Sequence, residues 1–218
     1  MSFDIGFALR SVSILSEGLT MTLALAVPAI LFSAVWGVPL VVAIRSRRSG
    51  LVALTRTYIE IVRNTPVLVQ MFFIYFGSGF MGYPISGFVA GLFALVLQNG
   101  AYVAEIYRAG IQSVTSRQTE AGLVLGFMPG EVFRIVVMPQ ALRAVIPPLS
   151  NQGVLIIKDT SLVATISVAE LTFQARLLAD RTAAVFEIFF ALALFYIVLT
   201  TIFSLLMRLL EVRLRVSN

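Results

Sequence analysis

Several apolar runs in this chain approach the roughly 20 residues that a helix needs to cross a bilayer whose hydrocarbon core is about 30 Å thick. Hydrophobic residues make up 59% of the sequence and charged residues only 12%, a balance that excludes an ordinary soluble domain. At 218 residues, the chain has room for four to six spans with short connections and for no separate soluble domain. The sequence therefore predicts an all-α integral membrane protein.

The apolar runs divide into five predicted transmembrane helices within residues 19–210. These spans cover residues 19–44, 66–81, 85–104, 141–166 and 183–207. Residues 1–18 mix charged and apolar positions without a cleavage site of the A-x-A type, so they predict an interfacial lead-in rather than a cleaved signal peptide. Residues 105–140 form a long connection and residues 211–218 a tail. Pro147 and Pro148 are predicted to break the fourth span early.

The arginines are distributed unequally between the two sides that five spans define. Three lie on the first side: Arg10, Arg176 and Arg181. Twelve lie on the second: Arg45, Arg47, Arg48, Arg56, Arg63, Arg108, Arg117, Arg134, Arg143, Arg208, Arg213 and Arg215. Cytoplasmic connections carry an excess of Lys and Arg, so the second side is predicted to be cytoplasmic. The N-terminus is then outside, while the C-terminus and the 105–140 connection are cytoplasmic.

The composition also excludes several kinds of chemistry. The chain has no His and no Cys, which removes disulfides, thiol nucleophiles, Ser-His-Asp triads and most zinc sites. Its lysine, Lys158, lies in IIKDTS without the Gly-rich turn of a P-loop, so ATP is not bound by that route. We predict neither an enzyme nor a bound cofactor. The net charge of +5 is explained by orientation and anionic membrane lipid rather than by nucleic acid.

One amphipathic segment, residues 118–139, is too polar to cross a membrane although it lies between predicted spans. Pro129 and Gly130 are predicted to separate it into two helical pieces. Gln118 and Glu120 give the first piece a polar edge. Its apolar residues recur at i, i+3, i+4 and i+7, one stripe of a helix: Ala121, Val124, Leu125 and Met128. The segment is a candidate docking surface for another protein.

Polar residues inside apolar runs are rare and usually face the interior of a helix bundle or a watery pathway. Gln98 and Asn99 in the third span predict either an interhelical hydrogen bond, worth about 0.6 kcal/mol, or a pathway lining. Lys158 and Asp159 lie between apolar flanks. At mid-depth, where an unpaired charge costs about 2.5–3.5 kcal/mol, they would be paired and functional. At the end of a span they would mark its boundary.

The 118–139 segment resembles the EAA loop of ATP-binding-cassette (ABC) importer permeases, written E-A-A, three residues, G, nine residues, I-x-L-P. The spacing matches throughout, at Glu120, Ala121, Gly122, Gly126, Val136, Met138 and Pro139. Further blocks resemble the polar amino-acid branch of that family and occur in the expected order. They are Gly18 with Thr22 and Leu23, RNTP at 63–66, AYVAE at 101–105 with Arg108, KDTSL at 158–162, and Glu170 with Leu171.

The resemblance implies a type I ABC importer permease fold in the bacterial inner membrane. Its partners would be two ATPases that bind the ATP, a second permease chain that is identical or paralogous, and a periplasmic or lipid-anchored solute-binding protein. Residues 118–127 would form the coupling helix that docks in a cleft of the ATPase. The candidate coupling residues are Gln118, Glu120, Ala121, Gly122, Leu125, Gly126 and Pro139.

The resemblance also implies a polar amino acid, or a similar small zwitterion, as the solute. Acidic, amide and basic amino acids, opines and ectoine all remain open. Candidate residues of the solute pathway are Gln98, Asn99, Lys158, Asp159, Thr160 and Ser161. Glu105 and Arg108, three residues apart, are predicted to form a structural ion pair in preference to lining the pathway.

Two other classes of function compete with this interpretation. A secondary transporter driven by an ion gradient would carry buried acidic residues in several spans and an inverted internal repeat, and neither is visible in the sequence. A membrane scaffold that transports nothing would keep the spans but would have no need of a docking segment with this spacing. The sequence therefore favours an ABC permease.

Overall fold

The computed structural model describes residues 5–215, with side chains from Ser11 to Arg213, and in this part of the chain every regular element is a helix. A π-helical turn spans Phe133–Val137, and a 3-10 helix spans Thr160–Ile166. The α-helices are α1 (Ile5–Ile44), α2 (Ser49–Asn64), α3 (Val67–Phe80), α4 (Gly87–Gln112), α5 (Ser116–Val124), α6 (Pro129–Val132), α7 (Met138–Asp159), α8 (Leu171–Thr182) and α9 (Val185–Arg215).

Among the described residues, four helical stretches are long and apolar enough to cross a membrane. A further candidate is the pair α2 and α3, bent by 103° at its break. Residues 5–215 therefore contain four candidate spans, or five if the bent pair counts as one. The predicted third span ends at residue 104, whereas α4 continues to Gln112. The four stretches are Ser11–Ile44, Gly87–Gln112, Pro129–Ile166 and Val185–Arg213.

The first helix begins well before the predicted first span. α1 starts at Ile5 and includes most of the 1–18 segment that the sequence predicted as an interfacial lead-in. The helix continues there because it has a surface to pack against: Ser11, Leu15 and Gly18 are buried at spacings of four and three, on one face of the helix. Residues 1–4 of this segment and residues 216–218 of the predicted tail lie outside the described residues.

The centre of the bundle is formed by α1 and α4, which approach closely because small residues face each other. A Cβ on Gly37 would lie 2.6 Å from Val103 and 3.1 Å from the backbone nitrogen of Ala104. Small residues let helices in lipid approach until their backbones are in contact, where dispersion holds them together. The surrounding core includes Leu25, Ala29, Met71, Ala94, Leu95, Ile156 and Val163.

A second core lies where α8 packs against α1 and α9. The backbone of Glu170 and Leu171, at the start of α8, lies directly over Gly18 of α1, where a Cβ would come within 2.8 Å of it. This contact holds the segment between α7 and α9 against the first span. The buried residues of this core are Leu15, Leu171, Ala175, Ala179, Ile188, Ala191 and Leu192.

Two proline sites differ from the sequence prediction. Pro129 and Gly130 do not separate two helices, because the separation lies at residues 125–128 and Pro129 is the first residue of α6. Proline suits that position, where its missing N–H would have no helical acceptor. Pro147 and Pro148 lie inside α7, which continues to Asp159. In a membrane helix, neighbouring helices and local adjustment satisfy the backbone groups that proline frees.

Candidate functional site

The 118–139 segment folds as a helix, a tight turn and a second helix between α4 and α7. In the turn, Gly126 has φ of +88°, and the N–H of Phe127 donates to the C=O of Gly122 at 3.2 Å. Glycine adopts this left-handed conformation without the steric cost of a Cβ. The carboxylate of Glu131 then accepts from the N–H of Met128 at 2.8 Å and caps α6.

The apolar residues that were predicted to form a stripe on this segment are exposed. Val124 is 87% exposed, Leu125 77% and Met128 72%, and Ala121 also lies at the surface. Leu125 and Met128 lie in the turn after α5 rather than on the helix, so these side chains form an apolar cap at its C-terminal end. Large exposed apolar side chains grouped in this way mark an interaction surface.

Some of the other candidate coupling residues are exposed to solvent, and others pack against the rest of the chain. Gln118 and Glu120 are exposed, and Glu120 makes no ion pair with the described part of the chain. Gly122 is buried instead, and a Cβ there would lie 3.0 Å from Val132 of α6. The two glycines of the motif, Gly122 and Gly126, therefore shape the segment from within.

A continuous helical run leads from the contact with α5 into the helix bundle. From Pro129 to Asp159 the chain is helical without interruption, the π-helical turn included, and Pro139 is exposed in the first turn of α7. Gly122 packs on the start of this run at Val132. Gln152, much further along it, hydrogen-bonds α4. The helical run that α5 contacts therefore reaches the interior of the bundle.

Two pairs of side-chain amides join helices inside the bundle. Gln152 of α7 donates to Asn99 of α4 at 2.6 Å, and Asn99 is only 1% exposed. Gln70 of α3 donates to Gln98 of α4 at 3.2 Å. Asn99 and Gln98 thus make interhelical hydrogen bonds, one of the two interpretations that the sequence left open. We did not single out Gln70 or Gln152 from the sequence, although a polar residue within an apolar run was the signal that identified their partners.

Residues 158–161 lie at the junction of α7 and the 3-10 helix. Lys158 is exposed and Asp159 half-buried, and neither forms an ion pair within residues 11–213. The hydroxyl of Thr160 is buried and donates to the C=O of Ile157 at 2.7 Å, and that of Ser161 donates to the C=O of Lys158 at 2.7 Å. The two groups of pathway candidates are therefore not joined by a hydrogen bond in the described structure.

Glu105 and Arg108 form an ion pair on α4, with Nη2 of Arg108 2.6 Å from Oε2 of Glu105. Nη1 of Arg108 also donates to Gln112 at 2.7 Å. The pair lines a polar cleft of about 470 Å³ between α2 and α4, which Arg56 and Arg63 of α2 also line. Hydrogen bonds to both neighbours on the same helix face orient the guanidinium, an arrangement typical of a structural pair.

Glu170 is a fully buried carboxylate for which the sequence predicted no role. It accepts from the N–H of Phe173 at 2.8 Å and from the hydroxyl of Tyr196 at 3.0 Å, so it caps α8 and ties it to α9. The N–H of Leu171 donates to the hydroxyl of Thr22 on α1 at 3.2 Å. Burial raises the pKa of Glu170, while the hydrogen bonds from backbone N–H groups and from Tyr196 act in the opposite direction.

Among the described residues the chain is helical, with four or five candidate spans and an exposed helix, α5, in the connection between two of them. The family described as "Binding-protein-dependent transport system inner membrane component" matches residues 29–216. The chain belongs to this family, within the polar amino-acid ABC transporter permeases. It is a multi-pass inner-membrane permease subunit of an ABC amino-acid importer and is not itself catalytic.

Relatives of known description resemble the chain over nearly its whole length. The glutamine transport system permease protein GlnP of Escherichia coli (strain K12) is 37% identical over 220 residues, which cover 99% of this chain and 100% of GlnP. The nopaline transport system permease protein NocM of Agrobacterium fabrum (strain C58) is 34% identical, covering 95% of this chain and 90% of NocM. These similarities confirm the predicted family, the function as an ABC permease and the inner-membrane location.

A solved structure of an ABC transporter supports the fold. The crystal structure of an amino acid ABC transporter with histidines contains a chain with a TM-score of 0.92 and 36% identity, and the match covers 98% of this chain and 100% of that one. The helices described above are therefore arranged as in an ABC importer permease.

Proposed function

We propose that this chain is half of the membrane domain of a polar amino-acid importer, in which ATP hydrolysis on partner subunits alternates the access of a central pathway. The complex comprises two permease chains, identical or paralogous, two cytoplasmic ATPases that bind the ATP, and a periplasmic or lipid-anchored solute-binding protein. The names of the relatives, which refer to glutamine, nopaline and histidines, support a small zwitterion as the solute.

The observation that carries the coupling part of the proposal is the exposed apolar cap of α5. Val124, Leu125 and Met128 gain about 25 cal/mol for each Å² of apolar surface that a partner covers. The free carboxylate of Glu120 beside them can pair with a basic group of the ATPase. Movement of the ATPases then acts on α5 and, through the Gly122–Val132 contact, on the helical run to Asp159.

The orientation belongs to the same proposal. The excess of arginine on one side supports an N-terminus outside and a C-terminus in the cytoplasm, with α2 and α3 accounting for one crossing between them. The 105–140 connection, including α5, is then cytoplasmic, where an ATPase can reach it. ATP binding draws the two coupling helices of the permease pair together and opens the pathway outward, and hydrolysis returns it inward.

Capture of the ATPase tests the coupling surface. Leu125→Asp should reduce the amount of ATPase that co-purifies with the permease about tenfold or more, because charge is placed in the centre of an apolar contact. Leu177→Asp is the matched control, since Leu177 is exposed on α8 and belongs to no proposed contact; it should leave capture unchanged. If the ATPase binds Leu125→Asp, and also Leu125→Asp combined with Glu120→Lys, as well as it binds the parent, α5 is not the docking site.

We place the solute pathway along α4 and α7, near the centre of the permease pair. Lys158 and Asp159, which have no ion-pair partner among the described side chains, offer complementary charges to the carboxylate and ammonium of a zwitterion. Ser161 adds a hydroxyl group, whereas Thr160, whose hydroxyl is buried and donates to the C=O of Ile157, contributes by positioning. Gln98 and Asn99 contribute by positioning, because their amides already hydrogen-bond neighbouring helices.

Uptake into vesicles that contain the complete transporter tests this pathway. Asp159→Asn should lower solute uptake about tenfold or more while basal ATP hydrolysis stays within twofold of the parent, because a charge that contacts the solute is lost and the coupling surface is untouched. Thr165→Ala, an exposed position in the 3-10 helix, is the control. Unchanged uptake in both Asp159→Asn and Lys158→Gln would remove these two residues from the pathway.

A further inference from the structure

α2 differs from the neighbouring spans in both direction and composition. It meets α3 at an angle of 103°, so that α2 runs nearly parallel to the membrane plane when α3 crosses the bilayer. Its 16 residues extend about 24 Å at 1.5 Å per residue, and they include Arg56, Glu60 and Arg63. A helix this short and this charged does not cross the hydrocarbon core by itself.

The side chains of α2 fall on three faces. Thr55 and Ile59 are buried, where the helix packs against α1 and α4. One flank is apolar and exposed, with Leu54 70% and Ile61 61% exposed. At about 100° per residue, the charged flank lies roughly opposite the apolar flank, and the buried face lies between them. The apolar flank comprises Leu51, Leu54 and Ile61, and the charged flank Arg56, Glu60 and Arg63.

Hydrogen bonds hold α2 firmly in this orientation. The indole N–H of Trp36 on α1 donates to the hydroxyl of Tyr58 on α2 at 3.1 Å. That hydroxyl donates in turn to the C=O of Leu97 on α4 at 2.8 Å. The guanidinium of Arg63 lies over the ring of Tyr102, 4.9 Å from its centroid. The exposed apolar flank is therefore a fixed feature of the fold.

Residues 45–48, which precede α2, and the charged flank of α2 are strongly basic. Arg45, Arg47, Arg48 and Arg56 are exposed, and none of them forms an ion pair within the part of the chain whose side chains are described. Glu60 is the only acidic residue of the sequence between positions 45 and 64. Such a surface is complementary to a layer of anionic groups.

We propose that α2 is an interfacial helix that docks on the anionic phospholipids of the adjacent leaflet. Its apolar flank lies in the acyl region, and Arg47 and Arg48, which precede the helix and are exposed, lie at the lipid phosphates. Amphipathic helices with basic residues bind the headgroup boundary in this way, and each arginine contributes a roughly fivefold preference for an anionic surface. Only the assignment of the leaflet as cytoplasmic rests on the proposed function.

Spin labels on α2 test its insertion directly. The chain has no cysteine, so a single introduced cysteine carries the label. In the full chain, reconstituted in vesicles of phosphatidylglycerol and phosphatidylcholine, labels at Leu54→Cys and Ile61→Cys should collide several-fold more often with oxygen, which concentrates in the acyl layer, than with an aqueous nickel chelate. Glu60→Cys, on the opposite flank, is the matched control and should show the reverse ratio.

Two outcomes of this measurement would overturn the insertion of α2. Labels at Leu54→Cys and Ile61→Cys that prefer the nickel chelate would place the apolar flank in water. Labels that are shielded from both reagents would place it against protein, such as a second copy of the permease. The result does not depend on the ATPase or on the solute, so a failure of ATP-driven uptake would overturn the proposed function alone.

A second measurement tests the preference for anionic lipid. Trp36, the one tryptophan of the chain, hydrogen-bonds α2, and its fluorescence can be quenched by brominated phosphatidylglycerol or brominated phosphatidylcholine. Arg47→Gln with Arg48→Gln should lower the ratio of the two quenching efficiencies at least fivefold. Arg176→Gln with Arg181→Gln removes the same charge from α8 and should leave the ratio unchanged. Equal ratios in the parent and both double variants would overturn the proposal.

Discussion

Single polar side chains determine how the helices of this permease meet. The Gln152–Asn99 hydrogen bond joins α7 to α4, and Glu170 joins α8 to α9 through Tyr196. Lipid tails are as apolar as the side chains, so apolar contact alone does not fix how two helices are oriented. A hydrogen bond between the helices does, because its geometry is directional. Each of these residues therefore selects one arrangement of its two helices.

Glu170 should make the stability of the protein depend on pH. Burial raises the pKa of Glu170 in the folded state, so the folded protein holds this proton more tightly than the unfolded chain, whose carboxyl has a pKa of about 4.3. The resulting stabilisation is fully present below about pH 4.3 and is lost as pH rises through the folded-state value. Glu170→Gln keeps an acceptor for the N–H of Phe173 and should reduce this loss of stability with rising pH. The melting temperature, measured across pH, tests this.

The control for this prediction is Glu120→Gln. Glu120 is exposed on α5, so its substitution should leave the pH profile of the melting temperature as it is in the parent. If Glu170→Gln retains the full pH dependence, the buried carboxylate of Glu170 is not its source.

At the scale of the elements, close approach between helices depends on where glycine occurs. Gly37 lets α1 reach α4, Gly122 lets α5 reach α6, and Gly18 lets the start of α8 lie on α1. The contacted atoms differ in kind. At Gly122 they are the methyl groups of Val132, whereas at Gly18 they are backbone atoms, which cannot move aside as the end of a side chain can.

Gly18→Ala should therefore separate α8 from α1. The added methyl group would lie 2.8 Å from the backbone of Glu170 and Leu171, and overpacking of this kind costs about 1–3 kcal/mol of the free energy of unfolding. Gly77→Ala in α3, where nothing lies within 4 Å, is the matched control and should be neutral or stabilising by up to about 1 kcal/mol. Chemical denaturation in mixed micelles measures both, and equal effects would show that the α1–α8 contact is not tight.

At the scale of the whole molecule, the apolar runs decide that the chain crosses the membrane, and the arginines indicate which way. Five crossings need the bent pair of α2 and α3 to pass from one side to the other, although α2 itself is short and charged. α3 with its 14 residues extends about 21 Å, which is shorter than the hydrocarbon core of about 30 Å.

Labelling of single cysteines in cells and in inverted vesicles tests the orientation and the number of crossings. An impermeant maleimide should label Tyr83→Cys and Asp180→Cys from outside, and Ser49→Cys and Ser116→Cys from the cytoplasmic side. All four residues are exposed, and the chain contains no cysteine of its own. Labelling of Tyr83→Cys and Ser49→Cys from the same side would mean that α2 and α3 do not cross together.

Much of the fold was predictable from the sequence because it depends on local properties. The length and hydropathy of a run identify a span, and each predicted span lies within or close to a described helix. The spacing from Glu120 to Pro139 identified the family. The start of α1 and the passage of α7 through Pro147 and Pro148 were not predictable, because packing against other helices overrides the local tendency to end a helix.

The candidate site, like the fold, was predictable from the sequence only in part. By itself, the sequence determined that the protein is a membrane permease of the ABC amino-acid family, since residue types and short spacings carry that information. Only the tertiary structure decided that Asn99 meets Gln152, that Gly122 packs inward, and that Glu170 is buried. The N–H of Leu171 reaches the hydroxyl of Thr22 across 149 positions of the chain, and contacts between residues so far apart depend on how all the intervening helices pack.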